Sequence, residues 1–581
     1  MTTKIYMLTV VLGCCLISAP VHAGLVGGSF APGEGSVIRD ITARADGTIV
    51  ACGVLGESAK VNGANPLLSG DHGAGVRGFV AEFSGDLSKR NWLSVFPAGC
   101  IQPNRIALGP DGSIAIGGKH LGGLAERDSK KENWSKSDGA VAKLDAGGKN
   151  VLWMSPAGPN QGEVTGLDVD KQGRVYFTAG SRVRAASNYI LRKHGETGRN
   201  EPWGDNGSWC VYLHTNQDPL KAEGQYLAYY AKARNQSEDG FGFDYDGRED
   251  GWGPVQFSLK GFRIGGEVQV LPDGDIVVSS CLQYDFRVNK RVAPKPSVPK
   301  PKSELDSLLD LDDHGKKKPV PDPGKPGTKV KPEPEGHLRK GKSFPAFDYF
   351  LARYSPDGVL RWSTNLYQAG DSVHTPDQKP IDLTYDPASD SIYALVKQHG
   401  SNVYRFKGKL VGDTGNLMIS WLGKVDAKTG NIQEGWYFQN NRHGTFHAHG
   451  IPKSPPYPKL AGNALKRVKV SKDGNVYVAG SGGAMTWTSE DALQAWPEGQ
   501  TGGGQGALIQ LSPNLDAVDF ATCLFTDAET TFVPWGLAVT EQGVVLAGSG
   551  SFSGALAGKT RKANWASSGT QSGCLLIGLM K

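Results

Sequence analysis

Cysteine is scarce in this chain and methionine scarcer, with 8 Cys and 6 Met among 581 residues. Long apolar runs are nearly missing. Beyond the N-terminus no stretch approaches the ~18–20 apolar residues of a membrane-spanning helix, so no transmembrane segment is expected. No Cys-x-x-Cys pair occurs, which removes the spacing used by covalent haem attachment and ribbon-type zinc sites. Neither a Gly-x-Ser-x-Gly elbow nor a Gly-x-x-x-x-Gly-Lys-Ser/Thr loop is present, so serine-hydrolase and P-loop chemistry have no local signature. Aromatic residues at 9% and apolar residues at 39% still suffice for a core, which excludes wholesale disorder. Glycine is abundant instead. Its 79 residues follow no Gly-x-y period, which suits many short strands joined by tight turns and excludes collagen.

A surplus of one charge sign is lacking too. The formal charge is +5, but residues 288–343 alone carry 14 Lys/Arg against 8 Asp/Glu. Without that segment and Lys4, 48 basic and 50 acidic residues remain, so no nucleic-acid partner is expected of the folded body.

The N-terminus reads as a targeting segment. Lys4, an apolar stretch from Ile5 to Ile17, and small residues at Val21 and Ala23 predict a signal peptide over residues 1–23. The mature protein is then exported: periplasmic, cell-surface or extracellular. Leu12-Gly13-Cys14-Cys15 loosely resembles a lipid-attachment site, which is the alternative. Cys52, Cys100, Cys210, Cys281, Cys523 and Cys574 remain after cleavage. They are an even set in an oxidising compartment, open to disulfides or to buried free thiols.

Self-similarity organises the rest. An apolar-x-apolar strand, a turn often ending in Asp-Gly, and a second alternating strand recur seven times. The copies begin at Ile41, Ile106, Leu167, Val268, Leu383, Val468 and Leu537, and the fifth has Asp390 where the others carry glycine. Alternation of period two predicts strands, and the turn glycine supplies the positive φ of a tight hairpin. A second strand pair follows, often closing on tryptophan: Gly78 to Trp92, Gly139 to Trp153, Tyr189 to Trp203, Asp348 to Trp362, Ile419 to Trp436, and Gly506 to Phe520. The expected fold is all-β: a seven-bladed β-propeller with four-stranded antiparallel blades.

This alternation of Asp-Gly hairpins and Trp-bearing strands resembles the bacterial β-propeller repeat (SBBP-like) family of exported proteins. The resemblance covers nearly all of residues 37–579 and implies a fold and a scaffold or binding role, without a chemistry. The last copy lacks a fourth strand after Cys574–Leu579. An open edge is aggregation-prone, so an N-terminal strand within residues 24–33 is expected to close the last blade. The organisation is then residues 24–287 for blades one to three and half of blade four, the 288–343 insertion, and residues 344–581 for the remainder.

The insertion holds 10 of the 34 prolines and no aromatic residue, so it is expected to be a disordered linker. Its stretch 303–313 is acidic with four leucines and is read as linker, with a partner-docking helix as the alternative. A long loop over 204–262 carries Asp244, Asp246 and Asp250, candidate calcium ligands set against a plain acidic loop. His447 and His449 stand at i, i+2 and would share one strand face, candidate ligands for zinc or copper. Asp426-Ala-Lys-Thr429-Gly430, followed by Trp436, is similar to the docking motif of quinoprotein dehydrogenase propellers. Here the Trp comes two residues late, and the likeness implies blade packing by Trp436. No catalytic residue and no bound cofactor beyond calcium is put forward. The expected function is an exported binding or scaffold module for an envelope protein or glycan. A metal-dependent lactonase or hydrolase, or a degenerate quinoprotein dehydrogenase, is the alternative.

Overall fold

A computed structural model describes residues 24–31, 34–59, 61–68, 70, 72, 75–120, 139–156, 161–181, 189–193, 209–213, 252–291, 338–339, 343–355, 360–365, 379–399, 403–406, 409–413, 418–438, 464–482, 489–494, 505–524, 532–550, 560–562 and 573–580. Every regular element among them is a strand. The strands form seven sheets of four or five strands and one two-stranded ladder, a propeller-like arrangement of small antiparallel sheets.

Each repeat copy supplies the first hairpin of one large sheet, and the sheets are numbered accordingly. Their first strands are Val37–Ala43, Ile101–Leu108, Gln161–Val169, Trp252–Val270, Lys379–Asp386, Ala464–Val470 and Val533–Thr540. The turns behave as their sequences require. Gly47 sits at φ 86° and Gly474 at φ 82°, while in the fifth copy Asp390 takes φ 49° itself. The Tyr385 hydroxyl, 2.8 Å from the Asp390 carboxylate, holds that exception in place.

Six sheets keep the expected order, with the N-terminal strand serving as the fourth in sheet seven. Sheet three departs from it: Val175–Ser181 pairs in parallel with Trp209–Leu213, and Tyr189–Lys193 lies outside that strand. The expectation of seven regular antiparallel blades is therefore corrected to six, plus one sheet of different order. Trp209-Cys-Val-Tyr-Leu213 is apolar or aromatic throughout and suits a place between two strands. Tyr189-Ile-Leu-Arg-Lys193 ends in two cations, which suit an edge.

The chain divides into two compact units, residues 1–226 with 260–283 and 347–581, and residues 227–259 with 284–346. The first holds six of the large sheets and, of sheet four, residues 260–270, 276–283, 347–354 and 360–365. In the second, the described pairing is Lys290 with Arg339 and Arg291 with Leu338. Most of the 288–343 interval lies outside the described residues.

The closing strand is found where the open edge demanded it. Gly24–Phe30 runs antiparallel to Gly573–Met580, from Gly24 opposite Met580 to Phe30 opposite Cys574. Gly27 has no alternative there, because a Cβ would run into the carbonyl of Leu576. Phe30 then packs edge-on against Phe79 of sheet one, with ring centroids 5.5 Å apart.

Successive sheets are joined by three devices. Apolar clusters fill the space between sheets one and two, two and three, four and five, five and six, six and seven, and seven and one. Basic side chains cap a turn carbonyl of the next sheet: Arg44 reaches Ala146 O, Arg353 reaches Ala427 O, and Lys424 reaches Pro513 O. Tryptophans seat on left-handed turn residues. A Cβ at Gly148 (φ 64°) would overlap the Trp92 ring, and one at Gly430 (φ 74°) would lie 2.6 Å from Trp362. Where the preceding sheet carries Glu434 or Val26 at the equivalent place, the turn residue is a buried leucine, Leu515 or Leu87. Trp436, two positions along, is 2% exposed and fills the space between sheets five and six. That is the packing role its sequence context implied.

The cysteines correct one expectation. Cys52, Cys100, Cys523 and Cys574 are free and buried, so the disulfide reading fails for these four. They lie on or beside strands packed against neighbouring sheets, where each thiol acts as a small apolar side chain. Of Cys210 and Cys281 only the backbone is described.

Candidate functional site

The first strands of sheets three, two, one, seven, six and five pack against one another in succession, so residues they share by position become neighbours. In all six the ladder slips at the same point, between Ile38 and Asp40, Pro103 and Arg105, Val164 and Gly166, Pro380 and Asp382, Leu465 and Arg467, and Pro534 and Gly536. A bulge gives one strand an extra residue and re-aims its side chain. The bulge residues are Arg39, Asn104, Thr165, Ile381, Lys466 and Trp535.

Just past the six bulges stand Asp40, Arg105, Gly166, Asp382, Arg467 and Gly536, and Glu267 precedes the first apolar position of the sheet-four copy. Five of these seven are charged, and four of them pair across the sheets. Arg105 makes a two-pronged contact with Glu267, its Nε 3.2 Å from Oε2. Arg467 donates from Nε to Asp40 Oδ1 at 3.2 Å. Asp40 also accepts from the amide of Ile106, and Asp382 from the amide of Val468 at 2.8 Å. Asp168, two places further along, accepts from the amide of Val270 at 2.6 Å. Each of these aspartates thus bonds main chain of the next sheet.

Burial sets the proton affinities. Removal from water pushes the Glu267 carboxyl up to about 7 despite the Arg105 guanidinium, and the Asp168 carboxyl up to about 6. The same burial opposes the charge of Arg105. The carboxylates of Glu267, Asp40 and Asp382 outweigh it and hold the guanidinium firmly protonated.

The bulge residues form a different neighbourhood. The guanidinium of Arg39 lies 4.8 Å from the ring centre of Trp535, and the ammonium of Lys466 lies 4.5 Å from it. Lys397 stands opposite Lys379 on the hairpin of sheet five, close enough for each to feel the other's charge. Burial lowers the proton affinity of Arg39, Lys397 and Lys466, and neighbouring cations lower those of the two lysines further. Glu163, hydrogen-bonded by Asn104, is the carboxylate felt by Arg39. At the far end of the first strands, the turns of sheets six, seven and one frame a cleft of about 630 Å³. Its lining includes Arg44, Asp46, Asp473, Thr540 and Glu541.

No protein-family model matches the chain, and no curated protein does. Solved structures resemble it weakly. A protein of unknown function from Dyadobacter fermentans is 9% identical over 96% of this chain and 98% of its own, with a TM-score of 0.33. PhoX of Pseudomonas fluorescens, solved with the transition-state analogue vanadate, is 8% identical over 96% and 95%, with a TM-score of 0.31. Quinohemoprotein alcohol dehydrogenase from Comamonas testosteroni is 12% identical with a TM-score of 0.30. That match takes in 79% of this chain and spans 58% of the dehydrogenase.

Asp244, Asp246, Asp250, His447 and His449 all lie outside the described residues. Among the described residues no three His, Cys, Asp or Glu side chains are grouped as metal ligands would be. The charged set was nonetheless present in the repeat alignment. In every copy the residue immediately before the first apolar position is Asp, Arg, Glu or Gly. Read as an aligned column, this stands out among apolar strand positions.

Proposed function

We propose that this protein is an exported binding module. In this reading seven sheets close into one ring, and the ligand is held where the bulge residues emerge from the first strands. The ring is supported by the succession of sheet contacts, with Thr165 donating to Gly266 O between sheets three and four. One observation carries the binding reading. The buried carboxylates are committed as acceptors, Asp40 and Asp382 to main-chain amides of the next sheet and Glu267 to Arg105. Such groups hold a ring together, while the adjoining cations and Trp535 remain to meet a ligand. The partner is an envelope protein or glycan, and the place of action is the periplasm or cell surface.

A propeller-borne enzyme is the second reading. It is favoured by the two carboxyls at about 6 and about 7, since groups tuned near neutrality mark acid–base sites. Passing native envelope extract over immobilised mature protein and over Lys466→Glu separates the two. Retention of one defined component by the first and not the second supports binding. Turnover of a lactone or phosphate ester that depends on Glu267 would replace it with catalysis.

A further inference from the structure

We propose that Arg39 and Lys466, which share the Trp535 ring, form with Lys397, whose charge bears on Lys466, a site for an oxyanion group, a phosphate or sulfate carried by the ligand. The inference rests on the binding reading and names the chemistry of its ligand.

The arrangement carries an electrostatic cost. Arg39 and Lys466 come from sheets one and six, on either side of the sheet that carries Trp535. Two like charges on one indole ring repel each other, and the fold brings them together through bulges at matching places in three strands. Among the described residues no ion pair includes Arg39, Lys466 or Lys397. Of the neighbouring carboxylates, Asp40 accepts from Arg467, Glu267 from Arg105 and Asp382 from the amide of Val468, while Glu163 bears on Arg39 without forming an ion pair with it.

The ring of Trp535 softens this repulsion without cancelling it, because its quadrupole attracts cations but carries no net charge. Partial burial also keeps solvent from screening the cations fully, as the lowered proton affinities of Arg39, Lys397 and Lys466 record. A negatively charged tetrahedral group with three outward acceptor oxygens would satisfy the planar fork of Arg39 and the ammonium donors of the lysines together. A phosphate monoester brings up to two charges and a sulfate ester one, each spread over three oxygens; a carboxylate has only two oxygens, and a neutral sugar no charge. The arrangement therefore selects for phosphate or sulfate.

The test is calorimetric titration of the mature full-length protein with inorganic phosphate and with sulfate, against chloride at matched ionic strength. Saturable binding of either oxyanion is expected, weakened about tenfold or more by Lys466→Gln and by Arg39→Gln, each a loss of a charge-assisted contact. Lys397→Gln is the third variant, used where either of those alters the far-UV circular dichroism. The wild-type melting temperature, which needs no variant, is expected to rise with phosphate or sulfate and not with chloride. Absence of saturable binding and of any rise overturns the proposal, as does binding that the substitutions leave unchanged. If the envelope component is still retained by wild type and lost by Lys466→Glu, the binding reading stands and only the oxyanion assignment falls.

Discussion

Arg105 and Glu267 bond directly although a whole sheet, residues 161–213, lies between them in sequence. The intervening sheet contributes Gly166 at the same position. A Cβ there would lie 2.7 Å from Glu267 Cα and from Val268 N. The same pattern recurs on the other side, where Arg467 reaches Asp40 past Gly536. In both places a glycine lets the next strand close in while an arginine bridges the two flanking sheets.

Removing the bridge leaves buried charge behind. Arg105→Met is expected to lower stability by about 3–5 kcal/mol, because Glu267 loses its cation in a dry setting. Gly166→Ala should cost about 1–3 kcal/mol by overpacking alone. Urea unfolding followed by circular dichroism gives both values, and a loss below 1 kcal/mol for Arg105→Met would show the bridge to be dispensable.

Stability should fall as pH rises through neutrality. Glu267 and Asp168 hold a proton more tightly folded than unfolded, with folded values of about 7 and about 6. Their contribution is full below the ordinary carboxyl range and is lost as pH climbs through those values. The melting temperature is therefore expected to decline from pH 5 to 7.5, and Glu267→Gln to flatten the upper part of that decline. Hydrogen bonds from Ser113 and Tyr385 hold Asp111 and Asp390 below the usual range, so the trend reverses under stronger acid.

The tryptophan seats carry a steric prediction. Gly148→Ala forces a methyl group into the Trp92 ring at a left-handed position, costing roughly 2–4 kcal/mol from overlap and backbone strain together. Trp92→Leu in the same chain should recover part of that loss. A double-mutant cycle by thermal melting reads the coupling, and additive effects would separate the two residues.

Deleting residues 24–30 exposes the backbone of Gly573–Met580 along its length. The truncated protein should self-associate, because an unpaired strand edge recruits another chain. Light scattering after size exclusion tests this. A stable, soluble monomer would mean that the N-terminal strand is not the fastener.

Thiol chemistry provides a fifth handle on the fold. Burial pushes the Cys523 thiol up to about 12, and those of Cys52 and Cys574 well above their ordinary range. In native protein these three and Cys100 should resist a thiol reagent, and all four should react on unfolding without prior reduction. Peptide mapping assigns the label, and any of these four left unlabelled in unfolded, unreduced protein would restore the disulfide reading for it.

Much of the fold is legible in the chain because it depends on near neighbours. Asp46-Gly47 and its equivalents fix each hairpin by local backbone preference, and the unpaired edge beside Cys574–Leu579 predicts its own repair by Gly24–Phe30. Sheet three was not legible. Whether Trp209–Leu213 or Tyr189–Lys193 lies beside Val175–Ser181 is decided by which can be covered on both sides, not by either strand's own alternation.

The sequence by itself determined seven hairpins and their turns, since strand period and positive-φ glycines act over a few residues. The tertiary structure decided which charges meet. Asp40 and Arg467 stand 427 positions apart, and nothing local distinguishes a charge that will face solvent from one that a ring of sheets will bury against its opposite.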